Sequence, residues 1–308
     1  MSKNLKGNLL LVLAALIWGV SFVMQDKAAE LLPAFTINGV RSLIGTAALL
    51  PLIIFRSKKS GAPIFEGTPK QRKNLILAGI LCGAALCIAT NFQQFGIALY
   101  PAEAAASGRS GFITALYVVL VPVFGLFMKK RASFTVWIGA ALAALGMFLL
   151  CQSGSGEGIY TGDIIVLFCA FAFTAQILCV DSFGEKVDGV KLSALQFLVC
   201  GVLSLVLMFI FESPSLSYIL KATPYILYLG IMSCGVAYTL QIVGQQYSKN
   251  PTVASILMSL ESVFAALSGA LISGEVLSVR ELVGCAVMFA AIVLSQLPHP
   301  KHKELKKS

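Results

Sequence analysis

The sequence predicts an all-α membrane protein of ten transmembrane helices, arranged as two inverted five-helix repeats around a central cavity. Three observations carry this expectation: long apolar runs without charge, basic residues gathered on one side of those runs, and an internal repeat five spans long. Of 308 residues, 57% are hydrophobic and only 12% are charged, whereas about a quarter are charged in an ordinary soluble domain.

The runs follow one another with short connections. No Asp, Glu, Lys, Arg or His occurs in 7–25, 74–102, 132–156, 192–211, 222–248 or 282–298. Residues 33–55, 104–128 and 252–274 each hold one charge (Arg41, Arg109 and Glu261), and 164–180 completes the set. Crossing a ~30 Å hydrocarbon core takes roughly 20 mainly apolar residues in a helix. Barrel strands would alternate in polarity over about ten residues, and these runs are apolar all round. The first run follows Lys3 and Lys6 like a signal peptide. Nine further spans and the lack of a clear small-residue cleavage site make it a retained helix.

Charge placement gives the orientation. The N-tail, the loops after helices two, four, six and eight, and the C-tail carry 18 of the 23 Lys and Arg residues. The outer loops hold only Lys27, Lys221 and Arg280. The positive-inside rule therefore puts both termini in the cytoplasm of a cell-membrane protein. The net charge of +9 belongs to lipid-facing loops such as 56–73 and not to a nucleic-acid patch. His299 and His302, the only histidines, lie in the basic tail and form no metal site. The eight cysteines show no zinc-site spacing and read as small packing residues.

The repeat appears when Gly7 is laid on Gly162, which brings Trp18 onto Phe173, Ser21 onto Gln176, Asp26 onto Asp181 and Arg41 onto Gln196. A slightly smaller offset brings Gln93 onto Gln241, Gly96 onto Gly244 and Ser107 onto Ser255. Five spans is an odd number, so the second copy enters the membrane from the opposite side. Repeats of this kind place the binding site near the midplane. The units are 1–155 and 156–308, joined at the Gly/Ser-rich stretch 153–158. Its glycine spacing lacks the strand and Lys of a phosphate loop.

These residues resemble the drug/metabolite transporter superfamily, specifically the EamA-type ten-helix transporters, over nearly the whole chain. Trp18-Gly19-Val20-Ser21-Phe22 is similar to the family's Trp-Gly-x-x-Phe pattern, and Arg41 stands where an Arg often follows small residues on helix two. Helix four carries Gly111 to Tyr117 and then Val121-Pro122; helix nine carries Leu260 to Ala266, then Gly274-Glu275 and Gly284. Ser262 replaces the family's proline after the glutamate, which removes the usual cause of a kink there. Lys129 and Lys130 stand where the second repeat has Glu275. The resemblance implies a secondary transporter in which helices one, three, four, six, eight and nine line the cavity and two, five, seven and ten lie outside.

Polar side chains in lipid usually face a bundle interior or a water-filled cavity. Helical spacing groups Cys234, Tyr238, Gln241 and Gln245 on one stripe of helix eight. Trp18, Ser21 and Gln25 align on helix one, and Cys87, Asn91 and Gln94 on helix three with Gln93 beside them. Helix six offers Phe173 and Gln176. Trp18, Ser21, Asn91, Gln93, Gln94, Phe173, Gln176, Tyr238, Gln241 and Gln245 are therefore the candidate substrate-binding residues. Amides with a Trp and a Tyr suit a polar organic solute such as an amino acid, another metabolite or a drug. Amides also bond membrane helices together, and for a single amide the two roles balance; the stripe on helix eight favours a cavity. The small face of helix nine (Ser255, Ser259, Ser262, Ala266, Gly269, Ser273) and Gly79-x-x-x-Gly83 are packing seams.

Glu261 lies about 12 Å from the inner end of its helix, from the ~1.5 Å rise per residue. A buried carboxylate must pair, be protonated or meet a cation. An ion pair with Arg41 or Arg109 is the expectation, and proton coupling is the alternative. No enzyme is expected: the spans contain neither His nor Lys, no Walker-type loop exists, and Asp163 and Asp181 lie ~27 Å apart along one helix. No catalytic residue, metal or cofactor follows from the sequence. The partners are a small-molecule substrate, the lipid bilayer and a coupling proton or ion. The alternative function is a channel or a receptor-like binding protein. A channel would more naturally show a filter-like motif or a charge ring.

Overall fold

A computed structural model describes residues 3–61, 63, 67–100, 106–128, 134–151, 160–184, 186–248, 250–273 and 279–295. The linker at 153–158, Lys129, Lys130, Glu275 and the two histidines lie outside them. Every regular element among the described residues is helical: α1 (Lys3–Ala29), α2 (Ala34–Ser60), α3 (Pro69–Ala98), α4 (Ala106–Ala115), α5 (Tyr117–Phe127), α6 (Phe134–Cys151) and α7 (Thr161–Phe183). There follow α8 (Gly189–Phe211), α9 (Leu216–Leu227), a π-helix (Tyr228–Ala237), α10 (Tyr238–Ser248), α11 (Pro251–Met258), α12 (Glu261–Ser273) and α13 (Val279–Ser295). Eight stretches are long and apolar enough to cross a membrane, three of them composites of consecutive segments: Arg109–Phe127, Leu216–Ser248 and Pro251–Ile272. The helices α6 and α13 are shorter as described and pack against each other.

Helix ends are set by local chemistry. Thr68 opens α3 with a capping box: its hydroxyl accepts from the Gln71 amide and its own amide donates to Gln71 Oε1, with Pro69 at the first helical position. Gly61 closes α2 in the left-handed conformation at φ 69°. Asp188 and Asn250 cap α8 and α11 through their side-chain oxygens. The first turn of α2 is capped from a distance: Glu212 accepts from the amides of Phe35 and Thr36 at 2.8 Å each and from the Thr36 hydroxyl at 2.7 Å.

Two spans break at mid-course. One parts α4 from α5 at Leu116, six residues before Pro122. The other parts α11 from α12 at Ser259 and Leu260, where the amides of Leu260 and Ser262 bond three residues back. Ser262 had removed the usual proline, yet the break forms. Ser255 and Ser259 bend their hydroxyls back to the carbonyls of Thr252 and Ile256, which competes with regular helix at this point.

Glycines let helices cross at backbone contact. At Gly7 a Cβ would lie 2.8 Å from the carbonyl oxygen of Gly244, and at Gly162 one would lie 2.7 Å from that of Gly96. The repeat register lays Gly7 on Gly162 and Gly244 on Gly96, so it carries one crossing onto the other. From the second crossing α3 and α7 run antiparallel, past Phe92 against Phe168 to Cys82 against Cys179. From the first, α1 and α10 do the same, past Trp18 against Tyr238. Gly79 and Gly83 face Leu195 and Val199 of α8, as a small-residue seam should. The outer surface is a belt of exposed Leu, Ile and Phe suited to lipid, including Phe55, Phe168, Phe209 and Leu271.

Candidate functional site

Two adjoining chambers lie between the halves, and Trp18, Phe173 and Tyr238 wall both of them. The first, about 30 Å³, is also lined by Ser21, Gln25, Arg41, Thr90, Gln93, Phe197 and Cys234. The second, about 20 Å³, adds Thr114, Tyr117, Ile177, Gln241 and Met258. Each has room for one or two waters, far less than the ~300 Å³ needed to enclose an organic solute. The partition is aromatic. The Tyr238 ring stands edge-on to Trp18 at 4.7 Å and to Phe197 at 5.0 Å.

The local fold aims these groups. Trp18 stands one turn beyond Ala14 and Ala15, which are fully buried. Tyr238 is the first α-helical residue after the π-helix, whose wider turn resets the face of helix eight. Two polar atoms at the chambers have no partner: Trp18 Nε1 and Gln241 Oε1. Leaving a buried donor or acceptor unmet costs about 1–3 kcal/mol each; Asn38, Gln94, Gln196 and Gln245 carry further unmatched amide atoms away from the chamber lining.

Of the ten expected binding residues, Trp18, Ser21, Gln93, Phe173, Tyr238 and Gln241 line the chambers. The other four do not line them. Asn91 bonds helices together: it donates to Ser204 at 3.0 Å and accepts from Asn38 at 2.9 Å. Gln94 donates to the carbonyl of Gln25. Gln176 accepts from Gln241 at 3.1 Å and donates to Gln196 at 3.2 Å, so it supports a lining residue from behind. Gln245 is buried, and neither amide atom finds a partner. Sequence reasoning missed Phe197, Tyr117 and Thr114. Phe197 lies on a helix assigned to the periphery, and its apolar ring gave no signal.

The spans' charges arrange themselves differently from expectation. Glu261 pairs with neither arginine; its Oε1 accepts from the Tyr117 hydroxyl at 2.8 Å, joining the first residues of α5 and α12. Arg109 instead grips Asp163, with Nη2 to Oδ2 at 2.6 Å and Nε to Oδ1 at 3.2 Å. Tyr100 donates to Asp163 Oδ1 at 2.7 Å and the Tyr160 amide to Oδ2 at 2.9 Å. The guanidinium also lies 4.7 Å from the centre of the Tyr160 ring. Burial, and then the bond to Asp163, push the Tyr100 phenol above its ordinary range. Arg41 donates from Nη1 to Gln25 Oε1 at 2.9 Å. The physical reason is reach. Asp163 opens α7 beside the end of α4 that carries Arg109, whereas Glu261 stands at a mid-span break facing a phenol.

Known proteins place this architecture. The sequence pattern of the EamA-like transporter family matches residues 5–152 and again 160–297. An uncharacterized transporter of Archaeoglobus fulgidus is 28% identical over 96% of this chain and 87% of its own length. The uncharacterized inner membrane transporter YedA of Escherichia coli K12 is 25% identical over 92% of this chain and 88% of its own. Among solved structures, one crystal structure superimposes with a TM-score of 0.73 at 18% identity, over 94% of this chain and 96% of that one, and shares its fold. With both halves matched, the chain belongs to the EamA-like transporter family and is a multi-pass membrane transporter of the drug/metabolite type.

Proposed function

We propose that this protein is a secondary transporter that moves a small polar organic solute across the cytoplasmic membrane by alternating access. The two unpartnered polar atoms at the chambers between the halves, Trp18 Nε1 and Gln241 Oε1, carry this reading. Chambers too small for a solute, walled by aromatics that could part, suit a carrier between openings better than a standing channel.

The topology proposed with it is ten spans in two inverted repeats, 1–155 and 156–308, with both termini cytoplasmic. Helices α6 and α13 supply spans five and ten. The antiparallel course of α3 and α7 supports inversion, as does the recurrence of one crossing, Gly7 with Gly244 and Gly162 with Gly96. Helices exchange partners in register: α2 packs on α8 and α6 on α13, while the α1–α10 contact mirrors α7–α3. Glu261 with Tyr117 is the candidate for coupling to a proton, since among the described residues no cation pairs with the carboxylate.

Single cysteines at Gln93 and Gln241, in a background without the native thiols, test the proposal. A water-soluble thiol reagent applied from either side in turn should label each of them, because both faces open in the cycle. Labelling from neither side would overturn the proposal.

A further inference from the structure

Arg41 differs from Arg109 in having no carboxylate partner among the described residues. It is 4% exposed, and its one hydrogen-bond partner among the described residues is the neutral Gln25. No carboxylate among the described residues bonds it: Asp26, beside Gln25, has only Lys27 and Glu30 as charged neighbours, and the others are engaged elsewhere. Asp163 holds Arg109, Glu261 holds Tyr117, and Glu212 caps the first turn of α2. A guanidinium offers five N–H donors, and a buried charge without a counter-charge is costly. Tying α1 to α2 through one amide would need no cation.

The surroundings show what the cation faces. Arg41 lines the larger chamber together with Trp18, whose Nε1 donor is unmet, and with Ser21 and Thr90. The lining also carries three aromatic rings, Phe173, Phe197 and Tyr238. A planar, permanently charged fork matches a carboxylate through two parallel bonds. An indole N–H is a donor only.

We propose that Arg41 is the anion-binding residue of the transport site, and that the solute bears a carboxylate held by Arg41 with the Trp18 indole N–H and an apolar portion packed against Phe173, Phe197 and Tyr238. This rests on the reading of the chambers as the transport site.

Thermal melting of the full-length protein in lipid nanodiscs tests it, with acetate, 4-methylpentanoate and phenylacetate as anionic probes and 4-methylpentanamide and isopentylamine as matched neutral and cationic ones. At least one carboxylate raises the melting temperature dose-dependently, and the amide and amine do not. Arg41→Gln weakens the carboxylate response at least tenfold without itself lowering the melting temperature, because it removes an unbalanced charge. Arg41→Lys keeps a weaker response.

An Arg41→Gln protein that still responds to the carboxylates overturns the assignment, as does the absence of any carboxylate response. A lower melting temperature for Arg41→Gln, restored by Arg41→Lys, would make Arg41 a structural tie and overturn it too. If the amide or amine binds instead and Trp18→Ala abolishes that binding, the chamber remains the solute site and the Arg41 assignment alone fails. Inertness to all five probes together with unlabelled cysteines at Gln93 and Gln241 removes both.

Discussion

The contact between α1 and α12 and the contact between α7 and α5 occupy matching places in the two repeats, yet they are built oppositely. Gly19 of α1 lies directly beneath Phe264, and a Cβ there would also come within 2.8 Å of the Ala265 amide nitrogen. The repeat register sets Gly19 on Thr174 of α7. Thr174 is buried, and beside it, where Phe124 of α5 meets Phe171 of α7 at 6.2 Å between ring centres, opens an apolar gap of about 620 Å³ lined also by Phe127, Leu178 and Phe183. The same two spans are nevertheless tied at their other end, where Arg109 of α4 grips Asp163 of α7. On the proposed topology the tied end is the outer one and the gap lies toward the cytoplasm. One interface is shut by backbone contact while its counterpart is clamped at one end and parted at the other. On the proposed inverted-repeat topology the two interfaces differ in conformation, and alternating access would exchange that asymmetry.

Breaking the clamp should have the largest effect. Asp163→Asn removes the carboxylate that Arg109 grips, and stability in detergent should fall by about 3 kcal/mol, the low end for buried pairs because both side chains keep some exposure. A melting temperature equal to that of the wild type would show the clamp to be incidental. Next in size is the shut interface itself. Gly19→Val forces α1 from α12 and should cost about 2 kcal/mol. Thr174→Val loses only the hydroxyl bond to Ala170 and should cost below about 1 kcal/mol. Equal costs at the two sites would remove the contrast between the interfaces.

Glu261→Gln should be milder than an ion-pair loss, below about 1 kcal/mol, because the amide oxygen still accepts from Tyr117. A drop of several kcal/mol would mean that a cation does meet this carboxylate. The smallest effect on folding belongs to Ala175→Phe, which fills the gap from an exposed position. Stability should move by about 0.5 kcal/mol or less, while Cys179, kept as the only cysteine on the gap wall, should react more slowly with a hydrophobic maleimide. An unchanged rate would argue that the gap does not admit a molecule of that size.

Eight of the expected spans were legible because charge and length alone decide what can sit in hydrocarbon. Gly7, Gly96, Gly162 and Gly244 stood out in the sequence because glycine is needed where backbones touch. Trp18, Tyr238 and Gln241 were found on helical spacing. That spacing says which side chains share a face but not what lies opposite, so it could not distinguish Asn91, which bonds α2 and α8, from Gln93, which lines a chamber. The ion pairs were misassigned for a related reason. Depth along a span can be counted, but the partner across it cannot, and Asp163 looked like a helix-end acid until α4 was set beside it.

The cap that Glu212 places on α2 has a consequence in time. The two are 177 residues apart, and at the usual 5–20 residues per second of synthesis roughly ten to thirty-five seconds separate them. Throughout that interval the first turn of α2 must find other acceptors, and the groove over Gly79 and Gly83 stays empty until α8 arrives. The early helices emerge as an unfinished half whose last hydrogen bonds are delivered by the late one. Cutting the chain between the repeats should therefore yield two fragments that the membrane retains but that become a folded protein only when they meet.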